Sequence, residues 1–235
     1  MIELKNLSKH YRKKCIFESL DMTFENLQLT VLLGENGAGK STLLRMIAGL
    51  EQLTKGEIRY FGEQLSKKQR QDKIGYVPQD IALFEHMTVN ENIRCFKALC
   101  KAPLSNVLID EYARQLNLNE RTMTISNLSG GTKRKVNVLI GLLSNPQILI
   151  LDEPTVGIDP SLRRDIWKQL KHLTKKGKSV IVTTHVMGEA ERCDYIGLIV
   201  EGRLFTMGTP QELKDKFGVD SIEEVFIKAE AEVQS

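Results

Sequence analysis

Apolar and polar positions alternate along the first thirty-odd residues, as in IELKNL and SLDMTF. That period of two predicts half-buried antiparallel strands. The pattern then changes: LTVLL (Leu29–Leu33) is a short apolar run, suited to a strand covered on both faces. Glycines follow it, and then STLLRMIAGL, whose apolar residues fall at helical spacing. QILIL and SVIVTT are two further buried-strand runs. Between them, SLRRDIWKQLKHLTKKG sets Leu162, Ile166, Leu170 and Leu173 on one helical face, with Gly177 placed to cap its end. The middle of the chain reads as helical. TVNENIRCFKALC opens on a Thr88/Glu91 capping box, with Val89, Ile93, Phe96 and Leu99/Cys100 on one face, and LSNVLIDEYARQLNL follows it. Capping boxes at Thr209/Glu212 and Ser221/Glu224 open two helices near the end. The pattern predicts an α/β fold, with strand, glycine loop and helix forming half of a βαβ unit, and a helical insertion within it. We expect one domain over 1–235. Its α/β core covers about 1–79 and 146–215, the helical subdomain about 80–145 and a C-terminal helical extension about 216–235.

Composition narrows the classes. A chain of 235 residues can bury a substantial core, and 41% hydrophobic with 27% charged residues is ordinary for a globular protein. The balance of 33 basic against 30 acidic residues gives no strong argument for a nucleic-acid or membrane partner, and no nucleic-acid partner is expected. The N-terminus lacks the apolar stretch of a secretory signal, and no run approaches the roughly 18 apolar residues of a membrane span. Cys15, Cys95, Cys100 and Cys193 form no CxxC pair and no zinc-like spacing with the histidines. They read as free thiols packed as small apolar residues in a reducing compartment. The basic runs KKQRQDK and TKKGK read as solvated faces.

GENGAGKST (Gly34–Thr42) fits GxxxxGK[ST], directly after a buried strand and directly before a helix. Glycines at such a site let successive N–H groups turn inward on phosphates, and the helix N-terminus adds partial positive charge. Gly34, Asn36, Gly37, Ala38, Gly39, Lys40, Ser41 and Thr42 are therefore the candidate nucleotide-binding residues. Lys40 supplies a charge for the β- and γ-phosphates, and Ser41 a hydroxyl for Mg²⁺. ILILDEPT ends an apolar run with two carboxylates at the C-terminal end of a strand, where ligands of open parallel sheets bind. Side chains alternate along a strand, so Asp152 is assigned to Mg²⁺ and Glu153 to activating the water in line with the γ-phosphate.

LSGGT (Leu128–Thr132) has two readings alone: an anion site at a helix start, or an ordinary Ser129 N-cap ahead of a flexible glycine pair. Phosphate loop, LSGGT and ILILDEP in this order and spacing resemble the ATP-binding cassette (ABC) ATPase family over about residues 1–215. The resemblance implies a P-loop NTPase core with a mostly parallel sheet, an N-terminal antiparallel β region and an inserted α-helical subdomain. It implies ATP as substrate and Mg²⁺ as cofactor. It also implies that Ser129, Gly130 and Gly131 bind the γ-phosphate of ATP held by a second cassette in a head-to-tail homodimer or pseudo-dimer.

Other family roles can be placed one residue at a time. Tyr11 in KHYRKK matches the aromatic that stacks on adenine. Gln79 in GYVPQD matches the Q-loop glutamine that senses Mg²⁺ and the attacking water. Asp159 in VGIDP matches the D-loop aspartate that couples the dimer, although Asp before Pro160 is also an ordinary helix start. His185, directly after SVIVTT, matches the switch histidine. Two positions depart from the pattern: Thr132 stands where glutamine is usual, and Ile158 where leucine is usual.

The resemblance implies an ATP-hydrolysing subunit that powers a membrane transporter from the cytoplasmic face of the membrane, as a peripheral subunit beside a separate membrane-spanning permease chain. VGIDP and the ending IEEVFIKAEAE resemble bacterial exporter-type cassettes. Ile81, Leu83, Phe84 and Met87 are candidate contacts with that partner, or else core of the insertion itself. The alternative is a soluble, non-transport ABC ATPase acting on nucleic acid or the ribosome. No coiled-coil arm and no second cassette supports that alternative, and no NKxD motif supports a GTP switch.

Overall fold

A computed structural model describes residues 1–12 and 14–234. The alternating N-terminal segments form β1 (Ile2–Tyr11) and β2 (Lys14–Phe24), paired antiparallel. The next apolar run is β3 (Leu29–Leu33), which leads through the glycine loop into α1 (Lys40–Ala48). β4 (Lys55–Tyr60) then returns to pair with β1, completing a three-stranded antiparallel sheet. Beyond it come α2 (Lys67–Lys73) and β5 (Ile74–Val77), then the helices α3 (Val89–Ala98), α4 (Asn106–Gln115) and α5 (Gly130–Leu142). The chain re-enters the core as β6 (Ile148–Asp152), α6 (Pro160–Lys175) and β7 (Ser179–Thr184). It finishes with α7 (Met187–Ala190), β8 (Tyr195–Val200), β9 (Arg203–Gly208), α8 (Pro210–Phe217) and α9 (Ile222–Gln234).

The second sheet has the order β5-β6-β7-β3-β8-β9 and is parallel except for the β8–β9 pair. Every residue of β3, β6 and β7 is buried, which is why those strands read as continuous apolar runs rather than alternating ones. Their side chains still alternate between two cores. Ile148 and Ile150 join Leu43, Leu44 and Ile47 of α1 and the inner face of the antiparallel sheet. Leu149 and Leu151 join α5, α6 and the helical insertion on the opposite side. Asp152 continues the parity of Ile148 and Ile150, so the strand itself directs its carboxylate toward α1. Among the described residues, no helix is long and apolar enough to cross a membrane.

Four local expectations need correction. KKQRQDK is exposed but is also the helix α2, opened by a capping box in which Ser66 Oγ accepts from Gln69 N at 3.3 Å and Gln69 Oε1 accepts from Ser66 N at 2.9 Å. It has no apolar stripe, so no periodicity announced it. TKKGK is not wholly solvated. Lys178 is buried, with its ammonium donating to Asn145 Oδ1 at 2.9 Å and to Pro146 O at 2.7 Å, and burial lowers its pKa. Leu99 is 81% exposed as the cap residue of α3, so Cys100 continues the apolar face instead. Cys15 is exposed rather than packed.

Leu44 is fully buried between α1 and the parallel sheet, so Leu44→Ala should lower unfolding stability by about 2–5 kcal/mol in urea titration. Leu99→Ala should change it by no more than about 0.5 kcal/mol in the same experiment.

Candidate active site

The phosphate loop is shaped by what it must pass. A Cβ at Gly34 would lie 2.3 Å from the carbonyl oxygen of Ile199. Gly39, with φ 96°, would put one 2.6 Å from Phe17 Cζ. Both positions therefore admit only glycine. Lys40 begins α1 and is 4% exposed, its ammonium donating to Gly34 O at 2.7 Å and Glu35 O at 2.8 Å. Burial lowers its pKa, opposed by the nearby charges of Glu153, Asp152 and Glu35. A cavity of about 510 Å³ opens above the loop, lined by Asn36, Gly37, Gly39, Lys40, Ser41 and Thr42. Gln79, Glu153 and His185 close its other side, with Lys14 and Ile16 from β2 at its edge. Ala38 faces a smaller neighbouring cavity against Phe226 of α9.

Asp152 is 2% exposed and accepts three hydrogen bonds. Ser41 Oγ donates to its Oδ1 at 2.9 Å, Thr183 Oγ1 to the same oxygen at 2.7 Å, and the Tyr76 hydroxyl to Oδ2 at 3.3 Å. Burial, and then the Asp152 charge, push the Tyr76 pKa up, which keeps that hydroxyl a donor. The Ser41–Asp152 pair is a hydroxyl beside a carboxylate, a hard-oxygen donor set suited to Mg²⁺, with Gln79 across the cavity.

Glu153 diverges from Asp152 for a reason other than strand alternation. Its φ is 46°, a left-handed turn that ends β6 and is strained for a residue with a side chain. Its amide donates to Thr183 Oγ1 at 3.0 Å, which fixes the turn. Glu153 Oε2 lies 3.3 Å from His185 Nδ1, without the alignment of a hydrogen bond. A buried carboxylate and an imidazole thus face the space beyond the phosphate loop, a placement able to take a proton from a bound water.

The structure does not bring every expected residue into this cavity. Tyr11 does not line it; the ring is 40% exposed and lies 4.4 Å from the Lys9 ammonium. Ser129 and Gly130 are exposed on the helical insertion, away from the cavity lining. Ser129 caps α5, its Oγ accepting from Thr132 N at 3.2 Å and lying 3.0 Å from Thr132 Oγ1. Thr132 thus pairs with Ser129. Asp159 caps α6, accepting from Ser161 N and Leu162 N at 3.0 Å, and these backbone donors hold its pKa down.

Three supporting groups were not legible in the sequence. Thr183 bridges the two acids, donating to one side chain and accepting from the backbone of the other. Arg134, 5% exposed on α5, donates to Pro78 O at 3.0 Å and Gln79 O at 2.7 Å, tying the LSGGT helix to the glutamine at the cavity. Glu189, 3% exposed on α7, accepts from Thr155 at 2.9 Å and Thr184 at 2.7 Å, clamping the segment after Glu153 to the strand before His185. The arginine sits in a visibly basic run, TKRK, but nothing there singles out one member.

The ABC transporter family model matches residues 17–156. The linearmycin resistance ATP-binding protein LnrL of Bacillus subtilis is 38% identical over 94% of this chain and 73% of its own length. The Nod factor export ATP-binding protein I of Burkholderia lata is 36% identical over 94% and 75%. The ABC transporter G family member 23 of Dictyostelium discoideum is 34% identical over 97% of this chain, which spans only 33% of that protein. Among solved structures, an ATP-binding subunit of an ABC transporter superposes with TM-score 0.85 at 27% identity, covering 97% of this chain and 99% of its own. A dimeric post-hydrolysis cassette bound to ADP and Pi superposes with TM-score 0.80 at 26% identity, covering 89% and 98%.

Thr183→Val keeps the shape of the strand but removes the hydroxyl shared by both acids. We expect a stability loss of about 1–3 kcal/mol by denaturant titration. Single-turnover ATP hydrolysis should fall roughly 10- to 100-fold through misplacement of the acids. An unchanged rate would mean that Asp152 and Glu153 are positioned without it.

Proposed function

Since the chain belongs to the ABC transporter family, as an ATPase and the ATP-binding subunit of a transporter, we propose that it drives an exporter by ATP-dependent, head-to-tail closure of two cassettes. The observation that carries this reading is the separation within one chain: Lys40, Ser41 and Glu153 line one open cavity, while Ser129 and Gly130 stand exposed elsewhere. The glycine-rich N-terminus of α5 is a phosphate-binding end with no phosphate loop of its own to face. A second cassette, identical or homologous, would supply it. A dimeric cassette among the structural neighbours and an export protein among the relatives favour the same reading.

In this reading the loop from Gly34 to Thr42 binds the triphosphate of ATP, and Lys40 neutralises its β- and γ-oxygens. Ser41 and Asp152 would hold Mg²⁺, with Gln79 lining the same cavity. When bound, that ion offsets the charge on the transferring phosphoryl group. Glu153 accepts the proton of the attacking water, and His185 holds the γ-phosphate side of the cavity. Tyr11, at the end of β1, is the residue assigned to stack on adenine. Asp159 acts across the dimer while also capping α6, so the two readings of that residue are compatible.

The membrane chain docks on the insertion near Gln79, from the cytoplasmic face, leaving this subunit peripheral. Phe84 and Met87 are exposed there, at 50% and 36%, whereas Leu83 packs half-buried against the core that the insertion shares with the parallel sheet. Arg134 then links that surface to LSGGT, because its guanidinium holds the backbone of Pro78 and Gln79.

Glu153→Gln should retain ATP and sediment as a dimer only with Mg·ATP, with hydrolysis at least ~100-fold below wild type. Ser129→Arg on that background should abolish the dimer and leave ATP binding intact. If the purified complex with its membrane chain also shows no ATP-dependent association of the cassettes, closure through LSGGT is wrong.

A further inference from the structure

The end of the β1–β2 pair carries three donor groups outside the nucleotide cavity. The register sets His10 directly opposite Cys15, while Lys9 lies opposite Phe17. Ile16 is therefore an extra residue on β2, a bulge that shifts the parity of the residues after it. Cys15 and Glu18, three apart in sequence and so of opposite parity in a regular strand, come to one face beside His10. His10 Nε2 lies 3.1 Å from Glu18 Oε2, and Cys15 Sγ lies 3.7 Å from the same oxygen. The three ligand atoms all fall within 4.8 Å of one another, and no other three His, Cys, Asp or Glu side chains do so among the described residues.

These separations have a geometric meaning. Tetrahedral zinc, with bonds of about 2.0–2.1 Å to nitrogen, 2.0–2.2 Å to oxygen and 2.3 Å to sulfur, sets N···O near 3.4 Å and S···O near 3.6 Å. The observed 3.1 Å and 3.7 Å differ from those edges by only about 0.3 Å and 0.1 Å. We propose that His10, Cys15 and Glu18 bind one divalent transition metal of the zinc class, with water as the fourth ligand. Imidazole, thiolate and carboxylate form a borderline-soft set, which separates this site from the all-oxygen pair at Ser41 and Asp152. Thiolate and carboxylate together balance the charge of the ion, and the Cys15 thiol proton leaves to solvent as the metal–sulfur bond forms. The exposure of Cys15 and Glu18 leaves room for the water ligand. The site was hidden in the sequence because its donors, although close along the chain, reach one face only through strand pairing and a bulge. A bound metal would cross-link the two strands at residues adjoining Tyr11 and Lys14, which pair with each other at the strand ends.

The test uses the full chain, free of nucleotide and Mg²⁺, titrated with Co²⁺ and then Zn²⁺. We expect a thiolate-to-cobalt charge-transfer band with four-coordinate visible absorption, saturating at one ion per chain and lost as Zn²⁺ displaces it. Cys15→Ser should remove the charge-transfer band, and His10→Ala or Glu18→Gln should weaken binding at least about tenfold. Cys95→Ser and Cys100→Ser should leave the titration unchanged. In the unmodified chain, Zn²⁺ should slow alkylation of Cys15, read by peptide mass spectrometry. Absence of the band, its survival in Cys15→Ser, or alkylation of Cys15 at the same rate with and without Zn²⁺ would overturn the assignment and leave an ordinary His10–Glu18 ion pair.

Discussion

A carboxylate buried at the end of β6 must be answered by donors, and much of the site is arranged around that requirement. Asp152 is 2% exposed, a position in which an unpaired charge would be strongly destabilising. Its three donors come from α1, β7 and β5. Satisfying one charge therefore locks the phosphate loop's helix to three neighbouring regions of the parallel sheet. Lys40, one residue before Ser41, is positioned by the same constraint, because α1 cannot slide without breaking the Ser41–Asp152 bond. The anion-binding end of the helix and the acid at the strand end are parts of one packed unit.

The sequence disclosed the contiguous parts of that unit. GENGAGKST and ILILDEPT each carry their chemistry within one short segment, and the buried strands beside them are legible because both faces must be apolar. What it did not disclose depends on tertiary adjacency. Thr183 is 31 residues from Asp152, and Arg134 is 56 from Pro78, so neither pairing leaves a local trace. A threonine in SVIVTT reads as a β-branched strand former, which it also is. α2 escaped notice for the opposite reason: a helix with no buried face has no periodicity to detect. The His10, Cys15 and Glu18 cluster was invisible because a bulge alters the parity on which strand reasoning rests.

Alternation along a strand explains why Asp152 faces α1, since Ile148 and Ile150 share that side. It does not explain Glu153, which has left the strand in a left-handed turn. Such a conformation costs a non-glycine residue on the order of 1–3 kcal/mol, so surrounding structure must hold it. Thr183 does so by accepting the Glu153 amide while donating to Asp152.

Because that single hydroxyl serves both acids, their positions are not independent. A displacement of β7 moves the donor to Asp152, the acceptor for the Glu153 amide and, two residues on, the histidine that faces Glu153. Glu189 reinforces the linkage by tying Thr155, just past the turn, to Thr184 at the end of β7. The helical insertion is joined to this assembly by several contacts: α5 packs its buried face on Leu149 and Leu151, Gln169 of α6 donates to Gln115 of α4 at 2.7 Å, and Arg134 donates to the backbone carbonyls of Pro78 and Gln79. Carbonyl acceptors are insensitive to side-chain identity, so the connection persists whatever surface residues 80–87 present to a partner. The acids are tied to one another through Thr183, and the LSGGT helix grips the backbone beside the cavity through Arg134 while its first turn packs against Leu162 of α6. A shift of the insertion would therefore have to be taken up at Pro78 and Gln79 and across the α4–α6 and α5–sheet contacts before it reached the acid pair.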